Sequence, residues 1–285
     1  MLPAGALAHH PRGRPARIGG VAAISFARRL GEPFPAELEC AVAGVTLRGT
    51  SIAARATAFA VPEFGVALDV GRMSPSIAAQ PVVLLSHAHL DHLSGVLAYL
   101  NVRARFHTGE PTSLVVPESV AAPLAQALAL LPGMESVRKR LDVGAAIRAA
   151  QPGEAVAVPG GTATAFAVDH SVPTLGWALR RDGVPRPALV YAADGSARPF
   201  VAEPGLLDAG AAIVECSFLE ANRRVAATLS KHAHLKDWIE LAPRLRCDTL
   251  VLSHLPDLPA AEAAALLAPL AAVFPGTLVA WLGNE

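Results

Sequence analysis

Short apolar runs separated by Gly, Pro and charged residues recur along the chain from about residue 38. Such runs predict β-strands, and longer segments with apolar residues at helical spacing predict helices. The predicted strands cover 38–47, 56–61, 66–70, 82–85, 112–116, 155–158, 162–168, 176–179, 188–192, 212–215, 249–253 and 277–282. The predicted helices cover 92–100, 119–131, 235–241 and 260–274. This alternation favours an α/β protein in which two mixed sheets pack face to face with helices outside them.

The decapeptide SHAHLDHLSG, residues 86–95, contains four candidate metal ligands. His87 and His89 are two residues apart after the strand 82–85, so they project from one side of the chain. Asp91 and His92 follow at a predicted helix start, within reach of a second ion. Neutral imidazoles and carboxylates are ligands that suit zinc and related metals, so this segment predicts a metal site.

The pattern HxHxDH resembles the signature of the metallo-β-lactamase superfamily, which continues with a His, a bridging Asp and a last His. His170, Asp194 and His254 fit that order, and each closes an apolar stretch. Further segments resemble the ribonuclease Z branch: ALDVGR at 67–72, HSVPTLGW at 170–177, VECSFLE at 214–220 and SKHAHL at 230–235. The resemblance extends over about residues 42–254. It implies a four-layer αββα sandwich with a dinuclear site along one edge of the sheets.

The resemblance also implies how the ligands are shared between two zinc ions, with Mn²⁺ or Fe²⁺ as alternative occupants. The first ion would be held by His87, His89 and His170. The second would be held by Asp91, His92 and His254, and Asp194 would bridge both. Asp69 would brace the ligand loop from behind.

Two further residues extend the metal site to a catalytic hypothesis. In the ribonuclease Z branch the His of the SKHAHL-like motif protonates the leaving oxygen and the Glu of the VECSF-like motif orients that His. Here these residues are His232 and Glu215, with Asp91 as the third catalytic group. A hydroxide bridging two metal ions would attack phosphorus. The departing alkoxide needs a proton from a group that titrates near neutral pH, which a histidine provides. His234 is predicted to pack or to cap a helix.

The chain departs from the ribonuclease Z branch where that enzyme holds transfer RNA. The branch carries an arm between the third His and the bridging Asp, whereas only 24 residues separate His170 from Asp194 here. That interval, with the turn Arg181-Asp182-Gly183, predicts a plain β-hairpin. The chain has 24 basic and 24 acidic residues, a formal net charge of 0 and a sequence pI of about 7.2. It therefore lacks the basic excess typical of proteins that bind large folded RNA.

These observations predict a dinuclear zinc phosphodiesterase for a small or flexible substrate, such as a cyclic nucleotide or a short nucleic-acid end. Three alternatives stay open. One is transfer RNA 3′ processing with a non-standard exosite, which a second subunit of a homodimer could supply. Another is hydrolysis of a carboxylic ester, thioester or lactone, and the last is a metal-binding or regulatory module without turnover.

Three features describe the setting of the chain. Residues 1–35 contain five prolines and predict a poorly ordered extension before a single domain over 36–285. Residues 263–284 carry no charge, but Pro269, Pro275 and Gly276 divide them, which predicts a helix and a strand rather than a membrane span. Three cysteines without ligand spacing predict a cytoplasmic location, and the Ala-, Gly- and Pro-rich composition is typical of GC-rich bacteria.

Overall fold

Two seven-stranded sheets form the centre of the part of the chain that this computed structural model describes, residues 37–282. The first sheet contains β1 (Leu38–Val42), β2 (Val45–Ile52), β3 (Ala56–Val61), β4 (Val66–Leu68), β5 (Val82–Leu84), β6 (Ser113–Pro117) and β7 (Ile147–Ala150). The second contains β8 (Ala155–Val158), β9 (Gly161–Val168), β10 (Thr174–Arg180), β11 (Leu189–Tyr191), β12 (Ala211–Glu215), β13 (Thr249–Ser253) and β14 (Thr277–Ala280). The predicted extension 1–35 lies outside the described residues, so the boundary at residue 36 stays a prediction.

Both sheets follow the same topology, with strands in chain order. Each begins with three antiparallel pairings and continues with three parallel pairings. Parallel neighbours need long connections, and helices supply most of them. The helices are α1 (Pro75–Ala78), α2 (Leu90–Leu93), α3 (Val96–Phe106), α4 (Glu118–Leu130), α5 (Glu135–Arg138), α6 (Val143–Ala146), α7 (Arg198–Ala202), α8 (Arg224–Ser230), α9 (Leu235–Leu241) and α10 (Ala260–Val273).

Three apolar clusters hold these layers together. The cluster between the sheets includes Phe59 from the first sheet, Trp177 from the second and Trp281 beyond β14. A second cluster lies under the helices of the first sheet and includes Tyr99, and a third lies under those of the second sheet and includes Trp238. Each sheet is thus apolar on both faces, as a sheet covered on both sides must be. The predicted αββα sandwich is confirmed.

Several local details differ from the sequence prediction, among them the short helices α1 and α5 to α8, which were not predicted. The predicted strand 38–47 is wrong, because the chain turns back at Ala43 and Gly44, where φ is +47° and +76°, and forms the hairpin β1–β2. The predicted helix 92–100 is two helices, α2 and α3. Strand β7 was missed because it is short and mostly solvent-accessible, so it lacks an apolar run. The predicted hairpin after His170 is confirmed by the antiparallel pairing of β10 with β11.

The apolar C-terminal segment forms a helix and a strand, α10 and β14, as the sequence predicted. Among residues 37–282, no single helix is long and apolar enough to cross a membrane. Helix α4 and the segment Pro132–Arg138 are long and apolar enough for a membrane span only when taken together, and the pair is bent by 90°.

The loop that carries HxHxDH lies directly against two glycines. Gly95 breaks the predicted helix, because its N–H donates to the carbonyl of Val70 at 2.8 Å instead of continuing a helical ladder. At Gly71 a Cβ atom would lie 1.7 Å from the carbonyl oxygen of Asp91 and 2.8 Å from the backbone nitrogen of Thr57. Neither neighbour is a flexible side-chain end, so any larger residue at position 71 must displace the ligand loop.

We therefore expect Gly71→Ala to lower the free energy of unfolding by about 1–3 kcal/mol, the usual cost of overpacking a tight site. The matched control is Gly133→Ala, where a Cβ atom meets nothing within 4 Å and φ is not positive. Denaturant unfolding of both variants measures the difference. Equal stability of the two variants would contradict the close contact between Gly71 and the ligand loop.

Candidate metal centre

The predicted ligands meet at one edge of the sandwich because they follow strand ends in both sheets. His87 and His89 come after β5 of the first sheet. His170, Asp194 and His254 come after β9, β11 and β13 of the second sheet. In α/β proteins ligands collect where strands end, so side chains far apart in sequence converge here.

All seven predicted ligands are brought together in two adjoining groups. Within each group the ligand atoms lie within 4.8 Å of one another: His87, His89 and His170 form one group, and Asp91, His92, Asp194 and His254 form the other. Oδ2 of Asp194 is 3.2 Å from Nε2 of His92 and 3.0 Å from Nε2 of His254. Asp194 also groups with His170, so its carboxylate lies between the two sets.

The hydrogen bonds of the imidazoles test whether these residues suit a metal. The Nδ1–H of His92 donates to Asp69 at 2.7 Å, and that of His170 donates to the carbonyl of Lys231 at 3.2 Å. Nε2 of His87 is buried without any hydrogen-bond partner, and Nε2 of His92 is buried with the carboxylate of Asp194 at 3.2 Å. Metal-binding histidines characteristically bond outward through one ring nitrogen and leave the other for the ion. The donor set fits a divalent metal.

Electrostatics keep several of the candidate ligands in the protonation states that metal binding needs. Burial, with the neighbouring His92, lowers the pKa of His87 to about 2, so this imidazole is neutral. Burial also lowers the pKa of His170. For Asp91, burial raises the pKa, but the hydrogen bond from His254 and the charge of His92 outweigh it and lower the pKa to about 2. Neutral imidazoles and ionised carboxylates are the ligand forms that a divalent cation binds. His92 is the exception: burial lowers its pKa, but the charges of Asp194 and Asp69 outweigh burial and raise the pKa well above its ordinary value, so His92 would release a proton on binding a metal.

The buried carboxylate of Asp69 holds the ligand loop from behind, where the sequence resemblance places it. Its Oδ1 accepts the Ser86 backbone N–H at 2.6 Å, and its Oδ2 accepts the Ser86 hydroxyl at 2.7 Å. The Tyr191 hydroxyl donates to Oδ2 at 2.5 Å. Because the Ser86 hydroxyl donates its hydrogen bond to Asp69, its oxygen accepts a hydrogen bond from Nδ1–H of His87 at 2.8 Å. Asp69 thus orients His92 directly and His87 through Ser86.

Backbone strain is concentrated at this edge. Asp69, Ala193, Lys231 and His254 have φ between +51° and +60°, a region that non-glycine residues seldom adopt. Each is a site residue or directly precedes one. Strain of this kind persists where surrounding contacts hold it, and it clusters at functional sites.

His232 and Glu215 lie beside both ligand groups. Nδ1 of His232 is 2.8 Å from Oε1 of Glu215, whose other oxygen accepts from the backbone N–H of Ser217 at 2.8 Å and from its hydroxyl at 2.7 Å. Burial lowers the pKa of His232, but the hydrogen bond to Glu215 outweighs it, so the pKa lies above its ordinary value. The His232 side chain is 18% exposed, while that of Glu215 is 1% exposed. The histidine can therefore meet a substrate and the carboxylate cannot.

His234 performs the structural role that the sequence predicted. Its Nδ1 accepts the backbone N–H of Lys236 at 2.9 Å, and the carboxylate of Asp237 accepts the His234 backbone N–H. These contacts form the capping box at the start of α9.

With this geometry established, comparison with known proteins identifies the family. The model of the β-lactamase superfamily domain matches residues 67–255, about two thirds of the chain. The chain belongs to the metallo-β-lactamase superfamily. The structure of human tRNase Z, short form, is similar with a TM-score of 0.58 and 18% sequence identity, covering 74% of this chain and 92% of that one. At 18% sequence identity, this similarity supports a shared fold and nothing more specific.

Curated relatives place the chain near the ribonuclease Z branch. Nuclear ribonuclease Z of Triticum aestivum is 34% identical over 74 residues, which are 26% of this chain and 42% of that protein. The chloroplastic tRNase Z TRZ2 of Arabidopsis thaliana is 24% identical over 245 residues, 73% of this chain and 66% of that protein. The chain thus spans less than two thirds of the length of these relatives.

Three residues of the site escaped the sequence analysis. None of them is a candidate ligand, but each forms a hydrogen bond that helps to orient the candidate ligands. They are Ser86 and Tyr191, which donate to Asp69, and Ser217, which contacts His254. Ser86 and Ser217 lie inside recognisable motifs, yet nothing in the motif distinguishes a bracing hydroxyl from a surface one. Tyr191 is 122 residues from Asp69, and only the packing of the two sheets brings them together.

Proposed function

We propose that this chain is a metal-dependent hydrolase that cleaves phosphodiesters, with two zinc ions in the site and His232 as the acid that protonates the leaving oxygen. The observation that carries the proposal is the His232–Glu215 pair, 2.8 Å long, beside the two ligand groups. The names of the curated relatives, which are ribonucleases Z, support phosphodiester bonds as the target.

The donor set supports zinc in particular. Five histidines and two aspartates supply nitrogen and carboxylate oxygen, and their division into two groups that meet at Asp194 supports two ions. When bound, the ions would activate a water molecule for attack and stabilise the charge that develops on the phosphoryl oxygens. The same imidazole and carboxylate donors could also bind Mn²⁺ or Fe²⁺.

His232 is suited to proton donation by its contacts. Its Nδ1–H donates to Glu215, which fixes the ring so that Nε2 is the nitrogen free to face a substrate. Because the carboxylate raises the pKa of His232, the ring keeps its second proton at a higher pH than an ordinary histidine does. Glu215 is held in turn by the backbone N–H of Ala233 at 2.8 Å, so acid and orienting carboxylate form a rigid pair.

A small or flexible diester is the substrate that the surroundings support. Strands β10 and β11 are joined by residues 181–188, which turn at Gly183 with φ of +72° and leave no room for an arm. The formal net charge of 0 offers no excess of positive charge to a folded RNA. The second candidate function, transfer RNA 3′ processing, is favoured by the names of the curated relatives.

Metal content provides the first test. Protein purified without chelator should hold about two divalent ions per chain. Asp194→Ala should lower both the metal content and the activity, because Asp194 lies between the two ligand groups. Asp182→Ala, in the exposed hairpin turn, is the matched control and should keep both ions. At most one ion in a fully folded and metal-saturated wild-type sample would contradict the two-ion site.

Leaving-group dependence provides the second test. His232→Ala should retain its metal yet lose activity by ~10²–10⁴-fold on a diester with an alkoxide leaving group, the usual contribution of a general acid. Bis-p-nitrophenyl phosphate should lose much less, since nitrophenolate departs without a proton. His107→Ala, a solvent-accessible histidine at the end of α3, is the control and should change neither rate. Equal losses on both substrates would exclude His232 as the acid.

The pH profile of the same reaction separates proton donation from a structural role. The acid form of His232 is present below its pKa and is lost as pH rises through it, so the rate with an alkoxide leaving group should fall on the alkaline side. Because Glu215 raises that pKa, Glu215→Gln should move the fall to lower pH. A profile with an unchanged alkaline limb in Glu215→Gln would exclude this proton transfer.

Substrate competition decides between the two candidate functions. At physiological salt, a small phosphodiester should have a higher kcat/KM than precursor transfer RNA, because remote binding energy for the RNA is missing. Residual RNA cleavage should be strongly salt-sensitive and poorly specific for the 3′ end. Accurate and preferential 3′ cleavage of the precursor would instead establish transfer RNA processing.

A further inference from the structure

A cavity of about 240 Å³ adjoins the metal centre on the side of the proposed acid. It begins at Ser217, whose hydroxyl accepts from Nδ1 of His254 at 2.9 Å, and continues past Phe218. The ring centroid of Phe218 is 6.2 Å from that of His232. We name this space the Phe218 cavity; it lies next to the proposed acid, within reach of a group attached to the oxygen that His232 would protonate.

The walls of the Phe218 cavity combine flat and apolar surfaces. The guanidinium of Arg223 lies over the ring of Phe218, 5.5 Å from its centroid. Leu258 and Leu266 line the cavity from the segment beyond His254 and from α10. Aromatic rings and guanidinium planes stack on planar ligands such as nucleobases, whatever the base.

The charge and the volume of the Phe218 cavity restrict which ligands it can hold. Two carboxylates, those of Glu220 and Glu262, line the cavity against the single guanidinium of Arg223. A second phosphate group entering here would meet more negative than positive charge. Pockets for drug-sized ligands are roughly 300–1,000 Å³, so a cavity of about 240 Å³ holds one ring system rather than a stretch of polynucleotide.

We propose that the Phe218 cavity binds the base of the leaving nucleoside, so that the substrates of this chain are short diesters in which a nucleoside departs. The inference rests on the proposed phosphodiesterase function and names its substrate class. It also assigns Phe218 and Arg223 as specificity-determining residues, since they would contact the base and not the reacting atoms.

The backbone allows Phe218 to be changed without disturbing its anchor. The carbonyl of Phe218 accepts the N–H of Leu235 at 2.8 Å, at the start of α9, and this bond does not involve the ring. Phe218→Ala therefore removes the ring, with its contacts to His232 and Arg223, and leaves the backbone anchor in place. Arg223→Gln, at an exposed position, is a second variant with no burial at stake. Phe106→Ala, at an aromatic side chain that is 76% exposed on α3, is the matched control.

The test uses thymidylyl-(3′→5′)-thymidine and two analogues, each lacking one of its bases, with the metal-loaded protein. Product analysis identifies which nucleoside departs. Loss of that base should lower kcat/KM by about tenfold, a typical effect of one stacked base, and loss of the other base should matter less. In Phe218→Ala and Arg223→Gln the ratio between the base-bearing and base-free diesters should fall towards one, while Phe106→Ala keeps the wild-type ratio.

A binding measurement separates failure of the cavity from failure of the proposed function. Saturation-transfer NMR should detect thymidine but not the base-free sugar on wild-type protein and on Phe106→Ala, and the signal should vanish in Phe218→Ala. Cleavage of all three diesters at equal rates would overturn the base site and leave the phosphodiesterase proposal standing. No cleavage, with thymidine bound through Phe218, would overturn the phosphodiesterase proposal and retain the base site. No cleavage and no binding would overturn both.

Discussion

The buried carboxylate of Asp69 connects the fold to the candidate metal centre. Asp69 follows β4 in the first sheet, and the Tyr191 hydroxyl that donates to it at 2.5 Å belongs to β11 in the second. Burying a charge costs several kcal/mol unless hydrogen bonds compensate for the lost water. Here the compensation comes from Tyr191, His92 and two donors of Ser86. The bonds that make the charge tolerable also set the two sheets against each other and orient the imidazoles, so the site depends on correct packing of the sheets.

Hydrogen bonds between the two sheets also hold His254, one of the strained residues at the sheet edge. A left-handed conformation at a non-glycine residue costs about 1–3 kcal/mol. At His254, with φ of +51°, the backbone N–H donates to the buried Ser51 hydroxyl at 2.8 Å. Ser51 belongs to β2 of the first sheet, whereas His254 follows β13 of the second. Contacts between the sheets therefore hold this candidate ligand in a conformation that its own backbone disfavours, which limits its movement.

The sequence could predict the cluster of candidate ligands and most strands because both signals are local. A short apolar run predicts a strand, and a His or Asp at its end stands out against the run. The hairpin at Ala43 and Gly44 was missed since its two strands read as one run, and the break at Gly95 depends on a hydrogen bond to Val70. The bracing role of Tyr191 depends on a partner 122 residues away. Interactions of this kind arise from packing, which composition and periodicity do not encode residue by residue.

The end of β12 links the proposed proton donor, a candidate metal ligand and the Phe218 cavity. Glu215, the last residue of this strand, holds His232 through Oε1 and the Ser217 hydroxyl through Oε2. Because the Ser217 hydroxyl donates its hydrogen bond to Glu215, its oxygen accepts a hydrogen bond from Nδ1–H of His254. This bond orients Nε2 of His254 towards Asp194. Because β12 is buried along its whole length between β11 and β13, it forms a rigid base for all of these contacts. In the proposed reaction, one short segment would thus position the proton donor and the group attached to the leaving oxygen. Small changes in this segment would therefore alter substrate choice and proton transfer together, although the ligands in the first sheet stayed in place.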